Sequence, residues 1–209
     1  MNLADYVRHK RSALVVATGP SRVLAPVWRP HFNVVATYQQ SCLDYLEAID
    51  FATFIDWQPT LGCTAAFGRI QTFLCPDNLL SLKDQNDRRS LETVGIPRER
   101  AVTFPVHLMR AARDRADECI QCGELYWPWY GVPATLHILA MLGYQSIFCL
   151  GCSDMDGQVS DAYRQARYLN EVTADAIGER FGCRVSFWCP GMTPEGWRGD
   201  TRRGFVIAR

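Results

Sequence analysis

The sequence predicts an α/β fold in one domain: a mostly parallel sheet with helices on both faces. Three observations carry this. Seven short apolar, β-rich runs recur along the 209 residues, at 13–18, 33–37, 51–55, 70–75, 101–104, 147–150 and 184–188. Segments with helical patterning separate several of them, the alternation expected of strands joined by right-handed crossovers. Two runs, 13–21 and 143–157, break off abruptly into Gly with small or acidic residues, as a buried parallel strand does where it meets a ligand-binding loop.

The strand runs are continuous in Val, Ile, Leu, Phe and Ala, as strands buried on both faces require. Among the helical segments, 41–49 is short and amphipathic, and 106–117 carries an Arg-rich outer face. Residues 132–142 are almost wholly apolar, which places that helix in the interior. The last long helix is expected over 161–181, with Leu169, Val172, Ala176 and Ile177 on one face and Gly182 after its end. Residues 83–100 are dense in charge and read as a solvated excursion; 83–131 is the candidate lid or insert in an otherwise single domain, 1–209.

Composition narrows the function classes. With 48% hydrophobic residues the chain has enough apolar surface for a full core. Formal net charge is zero, so nothing indicates a polyanion-binding face, and nucleic acid is not a partner that the sequence suggests. No apolar signal core opens the chain and no stretch approaches the roughly 18 apolar residues of a membrane span, so the expectation is a cytoplasmic protein. Nine cysteines, several within strand runs, fit reduced core thiols better than a disulfide framework. Homo-oligomerisation is left open.

Four motifs carry candidate chemistry. Thr18-Gly19-Pro20-Ser21 follows a strand: Gly permits close backbone approach, Pro pre-sets a first helical turn, and Ser caps it. That arrangement suits a phosphate, and it also makes a plain turn. It lacks both the Gly-Lys-Ser/Thr ending of a P-loop and the G-x-G-x-x-G fingerprint. Asp154 and Asp156 follow the strand 147–150, so carboxylates stand at the sheet's carboxyl edge, where they can act as general base, bond sugar hydroxyls or ligate Mg²⁺.

The pairs Cys119/Cys122 and Cys149/Cys152 are separated by 26 residues, beyond the roughly 15–20 of a zinc ribbon, and Cys149 belongs to a strand run. No metal site is assigned. The aromatic cluster 126–130 precedes the apolar helix and offers flat rings for a base or a sugar face, with Trp57, in 54–59, expected to join it. Of four histidines, His137 lies inside the apolar helix and reads as a satisfied core residue, and none follows it. A Ser-His-Asp or Cys-His nucleophile therefore has no footing.

Taken together, these segments resemble the bacterial lipooligosaccharide sialyltransferase-like fold and the related phage and archaeal Gly-Pro-Ser proteins, across almost the whole chain. The run 15–21 looks like that family's nucleotide loop, 34–39 like its second strand, 54–59 like its third, and 130–151 like its Ser-Gly, helix, Leu-Gly-Tyr, strand block. Residues 183–190 resemble its terminal strand and Cys-Pro turn. The resemblance implies a Rossmann-like glycosyltransferase domain that binds a nucleotide sugar without metal.

It implies a donor pocket from Thr18, Gly19, Pro20, Ser21, Tyr38, Gln39, Asp56, Gln58, Tyr130 and Gly131. Three departures alter donor contacts: Thr18 stands for the family's Asn, Tyr130 for its Ser, and Ser153 is an extra residue before Asp154. The segment that carries the family's His base is shortened to 158–161 and holds no His. The base then falls to an acid, with Asp154 first and Asp156 supporting.

The resemblance also extends to 6-hydroxymethylpterin pyrophosphokinase-like proteins, for which Asp56, Asp154 and Asp156 would hold Mg²⁺ and position ATP. A nucleotide-binding protein without catalysis is the third alternative. No cofactor is needed on the first reading, Mg²⁺ is needed on the second, and the expected partner is a nucleotide or nucleotide sugar.

Overall fold

In the computed structural model of the chain the described residues are 12–43, 46–81, 84, 86–104, 131–152 and 161–194, with side chains described from 164 onward in the last stretch. They contain nine strands: β1 Ser12–Val16, β2 Val34–Tyr38, β3 Ile49–Thr53, β4 Ile70–Pro76, β5 Asn78–Leu79, β6 Arg89–Ser90, β7 Ala101–Phe104, β8 Ser146–Leu150 and β9 Arg184–Phe187. The α-helices are α1 Ala25–Trp28, α2 Trp57–Leu61, α3 Gly131–Met141 and α4 Asp161–Phe181.

Seven strands form one sheet in the order β7-β4-β3-β2-β1-β8-β9, and every neighbouring pair is parallel. These are the seven strands expected from the apolar runs. From β1 the chain builds β2, β3, β4 and β7 to one side, then returns to lay β8 and β9 on the other. The order reverses between β1 and β8, and in open α/β sheets the crevice outside the carboxyl ends at such a point is where ligands bind.

Alternating side chains divide the core between the two faces of the sheet. Ala13, Val15, Val34, Ala36 and Phe51 pack with Leu136 and Leu139 of α3 and Ile177 of α4. Leu14, Val16, Val35 and Ala52 pack on the opposite side with Trp28, Phe32 and Phe67. The Trp28 ring stacks on Phe148 of β8 at a centroid distance of 4.2 Å. Both faces of β1 are therefore covered, which is why its sequence runs apolar without alternation. Residues 131 to 140 of α3 are all buried, as an all-apolar helix requires, and Leu169, Ala176 and Ile177 turn the inner face of α4 to the core. No helix of the described residues is long and apolar enough to cross a membrane.

Two expectations are corrected. The helix expected over 41–49 is instead a 3-10 turn, Gln39–Leu43, with no helix in 46–48. The Ser41 hydroxyl accepts from the Tyr38 N–H at 2.9 Å and donates to the Val16 carbonyl at 2.6 Å. Side-chain bonds of this sort compete with helix propagation. Second, the charged stretch 83–100 is not wholly a solvated excursion: Leu91, Val94 and Ile96 are buried within the core layer that holds Phe67 and Phe73. The charges look outward while three aliphatic anchors tie the stretch down. The helix expected over 106–117 and the aromatic cluster 126–130 lie outside the described residues.

The seven described cysteines are free thiols, six of them buried. Burial pushes Cys75 and Cys183 up to about 12. Burial, then the neighbouring Cys152, pushes Cys149 well up as well. Thiols held protonated in this way are poor nucleophiles and poor metal ligands. Cys119 and Cys122 lie outside the described residues.

His137 is fully buried in α3, and burial pushes its imidazole down to about 4 from the ordinary 6.5. Its folded-state pKa is depressed, so the stability tied to its neutral form is complete above about pH 6.5, where the unfolded chain is also neutral. It is lost as pH falls from there toward 4, because the unfolded chain takes the proton first. The loss expected is about 3 kcal/mol by linkage. Denaturant unfolding of wild type and His137→Leu at pH 7 and pH 4.5 checks it: the variant should show a shallower pH slope, and equal slopes would refute the assignment.

Candidate functional site

The site is built at the carboxyl ends of β1, β2, β3 and β8. Beyond their regular ladder β1 and β8 stay bonded, with Ala17 N–H donating to Leu150 O at 2.9 Å and Gly19 N–H donating to Gly151 O at 2.9 Å. The Gly151 N–H in turn donates to the Ser21 hydroxyl at 2.7 Å. Gly151 adopts φ +70°, and an ideal Cβ there would stand 2.8 Å from Ala17 O and 2.9 Å from Gly19 N. Only glycine lets two backbones approach this closely in that conformation.

The motif at 18–21 is thus part of a junction with β8. Gly19 and Ser21 are buried, while Thr18 and Pro20 are exposed. Pro20–Leu24 forms a 3-10 turn that leads into α1, as the Gly-Pro-Ser pattern suggested. The Arg22 guanidinium folds back over the turn, its Nη1 donating to the Thr18 carbonyl.

One strand away, Tyr38 ends β2 and Gln39 opens the 3-10 turn that follows. Gln39 is the one non-glycine residue with positive φ among the described residues, at 41°. Its side chain is buried, and its Nε2 has no hydrogen-bond partner among the described residues. The Thr37 hydroxyl, fully buried just before it, also has none. A left-handed non-glycine residue costs on the order of 1–3 kcal/mol, and an orphaned buried donor about as much again. Gln39 carries both at a strand end beside the switch point. Its turn is clamped by Ser41, which bridges the ends of β1 and β2.

Tyr38 packs against the first turn of α3. An ideal Cβ on Gly131 would lie 1.5 Å from Tyr38 Cε2 and 2.0 Å from its Cζ, so the ring fills the space that a side chain at 131 would occupy. The Thr135 hydroxyl donates to the Gly131 carbonyl at 2.8 Å and bonds the Thr53 hydroxyl at 2.9 Å, fastening that turn to the end of β3. Burial first and the Asp56 carboxylate second push the Tyr38 phenol well above the usual tyrosine range. Asp56, itself buried, caps α2 by accepting from the Gln58 N–H at 3.0 Å. Gln58 is exposed. Trp57 lies under the Arg89 guanidinium at 5.0 Å.

The ring contact yields a direct test. Gly131→Ala is expected to cost about 1–3 kcal/mol, the range for overpacking, and in a Tyr38→Ala background that cost should disappear because its cause is gone. Denaturant unfolding of both single variants and the double variant measures the coupling, and an unchanged penalty in the double variant would locate the clash elsewhere.

The expected residues therefore gather in two groups: Gly19 and Ser21 with Gly151, and Tyr38 with Gly131 and Asp56. Asp154, Asp156 and Tyr130 lie outside the described residues. Among the described residues no group of three or more His, Cys, Asp or Glu is placed to hold a metal ion. Residues that sequence reasoning did not assign to the site are Gly151, Ser41, Thr37 and Arg22. Gly151 had a signal, a glycine ending an apolar run; Ser41 and Thr37 had none that distinguishes them from other small polar residues.

Comparison with known proteins adds structural likeness only. Over 87% of its length and 82% of the other chain, this chain is similar to a point mutant of the alpha-2,3/8-sialyltransferase CstII, at 12% identity and a TM-score of 0.49. Structures of CstII from Campylobacter jejuni in complex with the substrate analogue CMP-3FNeuAc and with cytidine-5′-monophosphate are similar at 11% and 12% identity. Their TM-scores are 0.48 and 0.47; 87% of this chain is covered in each case, with 82% and 80% of those chains. No protein-family model matches the sequence, and no curated protein matches it. The fold class rests on the sheet itself, seven parallel strands with helices around them.

Proposed function

We propose that this protein is a transferase that moves a glycosyl group from a nucleotide-activated donor to a hydroxyl acceptor, without a metal cofactor. The observation that carries the proposal is Gln39, strained, buried and with its amide nitrogen unpartnered among the described residues, directly after β2. Strain and an orphaned donor in one residue beside a topological switch point are features of a preformed subsite for a polar ligand. Its amide donor suits an acceptor atom on a nucleobase or ribose.

In this proposal the donor's phosphate end lies over Thr18, Gly19, Pro20 and Ser21, and its nucleoside spans Tyr38, Gln39, Asp56 and Gln58 toward Tyr130 and Gly131. Asp154 takes the acceptor's hydroxyl proton, with Asp156 supporting it. The acceptor oxygen bonds the anomeric carbon, the anomeric C–O bond to phosphate breaks, and the nucleotide leaves as an anion.

Thermal unfolding against CMP, UDP, GDP, ADP, ATP and their sugar conjugates, each with Mg²⁺ and with EDTA, tests this. A ligand at a hundred times its Kd adds about 2.7 kcal/mol, which at roughly 2–4 °C per kcal/mol is a readable shift for a chain of this size. The expected result is stabilisation by one nucleotide and its sugar conjugate in EDTA, lost in Gln39→Ala. Stabilisation by ATP with Mg²⁺ alone would replace glycosyl transfer with pyrophosphoryl transfer; no response to any nucleotide would refute both.

A further inference from the structure

We infer that Arg22 is the cation that receives the donor's phosphate and stabilises it as it leaves, an inference that rests on the nucleotide-donor proposal above. A departing phosphate needs compensating charge or N–H donors, supplied elsewhere by metal ions, helix ends or amide nests. The turn at 18–21 offers only part of a nest. The Gly19 N–H is spent on Gly151 O at 2.9 Å and Pro20 has none to give, which leaves the Ser21 hydroxyl, an acceptor from the Gly151 N–H at 2.7 Å that carries a proton of its own but no charge.

Positive charge for the phosphate is then best supplied by a side chain near the switch point. The loops that follow β1, β2, β3 and β8 contain, among the described residues, a single Lys or Arg: Arg22, in 17–24, with none in 39–43, 54–58 or 151–152. Its Nη1 donates to the Thr18 carbonyl, which holds the guanidinium at the carboxyl end of β1 rather than out in solvent. It is half-buried there, where the lowered dielectric strengthens its attraction for an anion. The planar fork of a guanidinium also matches two phosphate oxygens at once.

Arg22 thus takes the place that a divalent cation fills in metal-dependent transferases. It contacts only the phosphate, so it should leave recognition of the nucleoside to Gln39 and Tyr38. That separation makes the inference distinguishable from the proposal on which it rests.

The experiment is calorimetric titration in EDTA of wild type, Arg22→Gln and Arg22→Lys with cytidine, CMP, uridine, UDP and UMP. Wild type should bind a nucleotide more tightly than its nucleoside. Arg22→Gln should weaken nucleotide binding at least tenfold and change nucleoside binding less than twofold, with Arg22→Lys intermediate because it keeps the charge and loses the fork. Wild-type nucleotide affinity should fall as salt is raised, and the Arg22→Gln affinity should fall less. If wild type prefers nucleotide over nucleoside and both variants retain that preference in full, Arg22 is not the phosphate ligand, although the nucleotide proposal stands. If wild type binds neither these nucleotides nor any purine nucleotide of the thermal screen, both are overturned. Should Arg22→Gln fail to fold, Arg22→Lys alone decides by the same criterion.

Discussion

Gly151→Ala is expected to destabilise the protein by about 2–4 kcal/mol, the sum of about 1 kcal/mol of left-handed strain and about 1–3 kcal/mol of overpacking. The new methyl group would meet Ala17 O at 2.8 Å and Gly19 N at 2.9 Å, and both are backbone atoms of the strand junction itself. A side chain could swing away, but these atoms cannot move without breaking the Gly19 to Gly151 bond and pulling Ser21 from the Gly151 amide. Gly143 is the control. It has φ +85° with nothing within 4 Å of its would-be Cβ, so Gly143→Ala carries the conformational term alone, about 1 kcal/mol. Denaturant unfolding of the two variants separates the terms, and equal losses would mean that the β1–β8 approach is looser than described. On the proposed function Gly151→Ala also weakens nucleotide binding, since the turn that bears Arg22 is seated on this junction.

The second large effect concerns turnover. On the proposed reaction Asp154→Ala removes the group that takes the acceptor proton, and a positioned general base contributes typically 10²–10⁴-fold. A loss of about that size in kcat, with the nucleotide-induced rise in unfolding temperature retained, is the expected pattern: binding intact and proton transfer gone. Asp156→Ala should cost less, because its part is to support Asp154. The assay needs the donor that the thermal screen identifies. Full turnover by Asp154→Ala would remove Asp154 from the mechanism, and a parallel loss of nucleotide binding would make it a donor ligand instead of a base.

The strands were legible because burial on both faces leaves a plain mark: 13–16 and 147–150 read as unbroken apolar runs, and they are β1 and β8. Helices α3 and α4 were legible for related reasons, one apolar all round and the other with a single apolar face that holds Leu169, Ala176 and Ile177. The turn at 39–43 was not. Its amphipathic spacing favoured helix, and what stopped it was one hydroxyl, Ser41, reaching a carbonyl 25 residues back in the sequence, at Val16. The aliphatics Leu91, Val94 and Ile96 were hidden in the same way: the charges around them speak for solvent, and only the packing against Phe67 and Phe73 shows where the three side chains go.

At the candidate site the division is sharper. That Gly19 and Ser21 stand at a strand's exit followed from local pattern, since glycine, proline and short polar residues after an apolar run mark such an exit, whereas Tyr38, Gln39, Asp56 and Gly131 were reached only through the family resemblance. The placement of β1 between β2 and β8, the contact of the Tyr38 ring with Gly131, the positive φ of Gln39 and the commitment of the Gly19 amide to Gly151 did not follow from local pattern. Local sequence governs whether a segment extends or coils, because that choice is settled by residues within a few positions of one another. Which strand lies beside which, and which backbone groups remain for a ligand, depends on partners tens of residues apart, and only the packed sheet brings them together.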